Sequence, residues 1–362
     1  MNTQNSFNPE QITPNTSHVN WSQVGWFLGL AFGLTWLLDL ALYLTGGLAN
    51  PSAGLFLQFQ MLLPAFSAIL LGVFFFKNSP IFYRTNHGVS RWFVYFYLLL
   101  TGLYLVSTIV SLIQPDLTAT LASVLLIPNL LGLILLIVLR VKGGKQTFVD
   151  AGMAGGKARL WFGYGLGLVL FFALQTWLNY VFKLGTLVDL KTAFPQLAAA
   201  NMPTAALYLT MALNTVVIGP FLGLIISFGE EYGWRGFLQT ELNKLGRIRG
   251  TFLLGVIWGI WHWPVIWMGY NYPGQPLVGS IFMMAYCIIL AYFLAYAVFK
   301  SKGIWTAAYL HALNNQALSF FVLFVVAPTN ILFSFGMGLP ALLLGAIVVL
   351  LLLRDPVWKE ME

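Results

Sequence analysis

The stretch ATLASVLLIPNLLGLILLIVLR, residues 119–140, carries no charged side chain until Arg140 closes it. As a helix it is about 33 Å long at 1.5 Å per residue, enough to cross roughly 30 Å of hydrocarbon. Lipid offers the backbone no hydrogen-bond partner, so a span of this kind must pair its own N–H and C=O groups as a helix. Reading outward from it, apolar runs of the same length recur along the chain. Ten are expected, over 24–45, 54–76, 92–113, 119–140, 160–182, 204–228, 251–268, 278–299, 304–327 and 331–353. Pro264 is expected to kink the seventh, since proline lacks the amide hydrogen that the helix needs.

Composition agrees. Of 362 residues, 59% are hydrophobic and 8% charged, against roughly 25% charged in a soluble domain. The mean hydropathy is +0.81. The class implied is all-α, a polytopic bundle of about ten transmembrane helices. The net charge of +7 does not point to nucleic acid, because the basic residues lie between apolar runs and form no basic face. Cys287 is the single cysteine, which excludes an internal disulfide and a cysteine-based metal cluster.

With ten spans, sixteen of the eighteen Lys and Arg residues fall on the side that holds both termini, and only Lys183 and Lys191 fall opposite. Positive charge accumulates on cytoplasmic loops, so both termini are expected in the cytoplasm. Residues 1–20 read as a polar tail without the basic start of a cleavable signal. Residues 21–200 hold the N-terminal spans and an outer loop, 201–354 the polar-motif core, and 355–362 a C-terminal tail. Two loops have room for surface structure. One is 187–200; the other is GFLQTELNKLGRIRG, 236–250, with the mixed character of an interfacial helix.

Ionisable groups inside a membrane are costly, and each is a functional hypothesis. His18 and His87 lie in the tail and a loop and read as solvated. Three clusters remain. In SFGEEYGWRGFLQ (227–239), Glu231 and Arg235 are one turn apart and suited to an ion pair. Glu230 is rotated about 100° from its neighbour and is free to act as a base. In WGIWHWP (258–264), Trp258 and His262 share a face. In HALNN (311–315), His311 and Asn315 project together, with Asn314 pointing away. By helix rise, the three clusters can meet in a cavity in the inner half of the membrane, open to the cytosol.

Glu-Glu-x-x-x-Arg, then aromatic-x-x-x-His, then His-x-x-x-Asn, in that order on core helices, resembles the CAAX protease and bacteriocin-processing (CPBP) family. This family is also called the type II CAAX prenyl endopeptidases, or the Abi domain. The resemblance covers about residues 204–353. Trp258 stands where many members have Phe, and the N-terminal half adds spans beyond the family core. The resemblance implies an intramembrane endopeptidase. Glu230 and His262 would activate a water, while His311 and Asn315 would stabilise the oxyanion. Glu231, Arg235 and Trp258 would be structural.

A competing reading makes Glu230, His262 and His311 zinc ligands, a set that leaves a fourth position for water. The metal-free reading is favoured because Asn315 has no place as a zinc ligand and because no H-E-x-x-H helix is present. Another class is a bacteriocin-immunity or membrane scaffold protein on the same fold. The expected partners are the lipid bilayer and a membrane-associated peptide or protein, a prenylated CAAX-type tail being the family's best-known substrate. Short loops and the lack of sorting signals favour a bacterial plasma membrane.

Overall fold

The structure, a computed structural model, describes residues 18–76, 88–195 and 202–359. Lys77, Arg84, His87, most of the N-terminal tail and residues 196–200 lie outside the described residues. His18 is exposed.

The described chain is a helix bundle. Eight helices are long and apolar enough to cross a membrane. They are α1 (Trp21–Leu44), α2 (Ala53–Phe75), α3 (Arg91–Ile113), α4 (Pro115–Asp150), α5 (Ala158–Val181), α6 (Thr204–Leu222), α10 (Pro276–Ser301) and α11 (Ile304–Val325). Between α6 and α10 lie α7 (Leu224–Glu231), α8 (Arg247–Trp261) and α9 (Trp263–Trp267). The chain closes with α12 (Leu339–Leu352). The expected seventh and tenth spans are thus shorter pieces. α8 and α9 part at His262, just ahead of Pro264, as the proline requires. α12 has only 14 residues.

Contacts between loops sort them into two ends of the bundle. At one end, the Asn20 N–H donates to Glu241 at 3.1 Å, and Arg247 donates to the Val357 carbonyl at 2.5 Å. At that same end Lys300 pairs with Asp355 at 2.9 Å, and Gly155 bridges Gly303. At the other end, the Ser52 hydroxyl meets the Ser111 carbonyl and the Thr118 hydroxyl. There too Tyr272 donates to the Met337 carbonyl, and strand β1 (Gly185–Leu187) pairs antiparallel with β2 (Val326–Pro328). Among the described residues, these contacts do not mix the two sets. This is the alternation that ten traverses produce, and it places both ends of the described chain at one end of the bundle. The Val357 N–H and the Lys300 ammonium hold the Asp355 carboxyl below the usual carboxylate range. Their contribution to docking the C-terminus is therefore complete above that range and fades as pH falls through the lowered value.

Two expectations are corrected here. The sixth span does not end near Glu230. The helix turns at Gly223, restarts as α7, and continues through a π-helical turn (Tyr232–Leu238) and Gln239–Leu242. Consequently 236–250 is no interfacial helix. Phe237, Leu238 and Leu242 are buried, packed among helices rather than lying in a headgroup layer. The described part of 187–200 holds only the end of β1 and a single turn, Leu190–Ala193.

α7 approaches α2 closely because its contact face carries glycine. A Cβ at Gly229 would collide with the Met61 carbonyl and the Tyr97 hydroxyl, and one at Gly233 with the Pro64 backbone. Both obstacles are mainly backbone or buried. Gly229→Ala is therefore expected to cost about 1–3 kcal/mol through overpacking. A thermal scan in detergent checks this, and an unchanged midpoint would mean that the two helices are less tightly apposed.

Candidate active site

Three helices bring polar groups to one place in this apolar interior. α7 supplies Glu230 and Glu231, the end of α8 supplies Trp258 with His262 beyond it, and α11 supplies His311, Asn314 and Asn315. Consecutive residues on a helix diverge by about 100°, and the two glutamates have separate partners accordingly. Glu231 Oε1 accepts from Arg235 Nη1 at 3.0 Å and from His311 Nδ1 at 2.7 Å. Glu230 Oε2 accepts from the Trp258 indole at 2.7 Å, and its Oε1 lies 3.9 Å from His311 Nε2. The expected pairing of Glu231 with Arg235 is present, with His311 as a further partner.

Trp258 ties the cluster together. Its indole N–H holds Glu230, and its carbonyl meets His262 Nδ1 at 2.8 Å. Its ring lies under the Arg235 guanidinium at 4.3 Å and edge-on to His311 at 5.5 Å. These contacts fix the imidazoles. A carbonyl only accepts, so His262 Nδ1 carries a proton, and in the neutral ring Nε2 keeps a lone pair. An ionised Glu231 likewise requires a proton on His311 Nδ1 and turns Nε2 toward Glu230.

Glu230, His262, His311 and Asn315 all line one cavity of about 380 Å³. The structure therefore brings together the four residues singled out for chemistry. Glu231 and Arg235 stand behind it, fully buried. One reading is corrected. Asn314 does not point away; it lines the same cavity, takes a hydrogen bond from Tyr286 at 2.8 Å, and donates to Asn315 Oδ1 at 3.2 Å. A cavity between α10 and α11 is wide enough to receive two adjacent faces of α11. With Asn315's oxygen engaged, its amide hydrogens remain as donors.

The direction of the cavity also differs from expectation. Its remaining walls include Gly54, Gln58, Asn271, Ser319 and Met337, which belong to the end of the bundle away from the termini. The reason is the continuation of α7. Glu230 stands eleven residues before Glu241, the residue that meets Asn20, so it sits about 16 Å in from the terminal end.

Sequence reasoning missed Tyr286, Cys287 and Gln58. Gln58 could have been found by the rule that flagged the histidines, since it is a polar residue inside an apolar run. Tyr286 and Cys287 lie in a run that reads as ordinary lipid-facing helix. As for zinc, no group of three His, Cys, Asp or Glu residues is arranged to hold a metal among the described residues. His262 Nδ1 and His311 Nδ1 are both already engaged within the protein. Such an Nδ1 hydrogen bond is also what metal-bound histidines make, and it leaves Nε2 of His262 and His311 as the atoms that would face a metal.

Fold and site together define a multi-pass membrane protein with a carboxylate, two imidazoles and a carboxamide facing one intramembrane cavity. Residues 210–317, which contain the whole site, match the family model described as type II CAAX prenyl endopeptidase Rce1-like. This region is thus similar to the domain of that family, in line with the resemblance of its motifs. It is similar to CAAX prenyl protease 2 of Methanococcus maripaludis, 34% identical over 62 residues. That likeness covers 17% of this chain and 23% of the archaeal protein. No solved structure matches the chain.

Proposed function

We propose that this protein is an intramembrane endopeptidase that hydrolyses a peptide bond with water activated by Glu230. The observation that carries the reading is the pairing of Glu230 and His311 at the cavity wall, 3.9 Å apart, with His262 and Asn315 on the same wall. A water held by the Glu230 carboxylate and the His262 Nε2 lone pair gives its proton to Glu230 as its oxygen attacks the scissile carbonyl. His311 donates from Nε2 as an imidazolium, its charge balanced by the two glutamates, and the Asn315 amide donates beside it. Each such donor to an oxyanion is worth about 10²–10³ in rate. Glu230 then passes the proton to the departing amine, and the carboxylate is restored. Glu231 and Arg235 position His311 and the helix and touch no substrate.

The substrate is a membrane-associated peptide or protein, reached within the bilayer of a cell membrane. The archaeal relative, CAAX prenyl protease 2, brings a prenylated CAAX-type tail into consideration. The mechanism needs no metal. Protein stripped with a chelator, and verified metal-free by mass spectrometry, is expected to keep its activity. Loss of activity that stoichiometric zinc restores would instead make Glu230, His262 and His311 ligands, the histidines through Nε2.

A further inference from the structure

α1 carries an ionisable group that the chemistry at Glu230 does not use. Asp39 is 2% exposed, and neither of its carboxylate oxygens has a hydrogen-bond partner among the described residues. An ionisable group inside a membrane is costly and is normally paired. The donors nearest in sequence and packing are spent on one another. One turn before Asp39, the Thr35 hydroxyl accepts from the Trp261 indole at 3.0 Å, and the Trp36 indole donates to the Trp261 carbonyl at 3.2 Å. α1 itself holds no Lys or Arg.

Asp39 lines a recess of about 490 Å³ between α1 and α9, together with Trp36, Tyr43, Pro264, Trp267 and Met268. None of these side chains carries positive charge, and Pro264 has no N–H to offer. Trp36, Tyr43 and Trp267 are exposed in the described structure, on a helix pair whose outer surface meets lipid. α1 ends at Leu44, five residues beyond Asp39, so the carboxylate lies about 8 Å from that helix end by helix rise. Trp and Tyr concentrate at this depth, where lipid headgroups begin.

The chemistry of the recess selects its occupant. A divalent metal ion takes several oxygen ligands, and only one carboxylate is present. Aromatic faces attract organic ammonium ions. Two unfilled carboxylate oxygens call for N–H donors, which a primary ammonium supplies and a quaternary one lacks. We propose that the recess formed by Asp39, Trp36, Tyr43 and Trp267 binds the primary ammonium headgroup of a phospholipid of the ethanolamine type. The ammonium sits on the carboxylate among the aromatic rings, and the acyl chains lie along the exposed apolar surface of α1. This site is separate from the cavity at Glu230 and does not rest on the endopeptidase reading.

Native mass spectrometry of the full chain in detergent tests the proposal without any catalytic assay. Titrated with phosphatidylethanolamine, the wild type is expected to bind about tenfold more tightly than with phosphatidylcholine of the same acyl chains, the worth of a charge-assisted hydrogen bond. Asp39→Asn is expected to abolish that preference. Because the carboxylate has no partner within the described protein, the same variant is expected to keep its thermal midpoint in lipid-free detergent. Trp267→Leu, at an exposed position that folding does not depend on, is expected to weaken phosphatidylethanolamine binding about threefold through the lost cation–π contact. It keeps the proposal testable if Asp39→Asn folds poorly. Equal binding of the two lipids by the wild type, or an unchanged preference in both variants, would overturn the proposal. Free ethanolamine displacing the lipid at equal concentration would overturn it too, by making the site one for a soluble amine.

Discussion

Glu230→Gln is expected to lower peptide hydrolysis by at least 10²–10⁴, the usual range for losing a general base, while the protein folds almost as before. The structure explains both halves. Glutamine is the same shape, and its side-chain oxygen can still accept from the Trp258 indole, which now reaches Glu230 at 2.7 Å. What it lacks is basicity toward a water on the cavity side. Turnover measured beside a thermal scan in detergent separates the two effects. A large fall in thermal midpoint with Glu230→Gln would mean that this carboxylate is structural after all.

The neighbouring glutamate is expected to behave in the opposite manner. Glu231 has no side-chain exposure and holds two partners, Arg235 at 3.0 Å and His311 at 2.7 Å. Glu231→Gln removes the countercharge of a buried guanidinium, a change that typically costs about 3–5 kcal/mol. It also weakens the hold on the ring of His311, because a neutral amide oxygen accepts less strongly than a carboxylate, so activity is expected to fall with stability. The double variant Glu231→Gln, Arg235→Met removes both charges and is expected to regain much of the stability, without the activity, because His311 lacks the carboxylate that supports its charge. Equal loss of fold in Glu230→Gln and Glu231→Gln would refute the division of roles between adjacent carboxylates.

How much of this was legible in the sequence follows from where strong physical constraints act. The hydrocarbon thickness forces about 20 apolar residues per crossing, so the helices of 21–44, 91–113 and 276–301 could be read almost to their ends. The basic loops supplied the alternation of ends, because charge is hard to translocate. The order of polar motifs gave Glu230, His262 and His311, since ionisable groups in lipid are rare. The depth of the site was not legible. It depends on the turn at Gly223 and the π-helical turn of Tyr232–Leu238, and a run of apolar residues carries no sign of either. Without them the sixth span reads about a dozen residues too short, and the cavity reads as nearer the end that holds the termini. Asn314 was misread for a related reason. A helical wheel shows one line of sight, whereas a cavity between two helices takes in two. The rule used for the histidines could have flagged Gln58, Gln60 and Asp39 as well, because all three are polar and lie inside apolar runs. Asp39 is buried with both carboxylate oxygens unpartnered.

The most direct test of Glu230-dependent intramembrane hydrolysis compares the terminal peptides of membrane proteins from cells making wild-type protein and cells making Glu230→Gln at equal level. A defined set of new peptide ends is expected in the wild type, disappearing in the variant and returning when the wild-type chain is restored. Identical sets of ends in the two membranes, with both proteins folded and inserted, would contradict it.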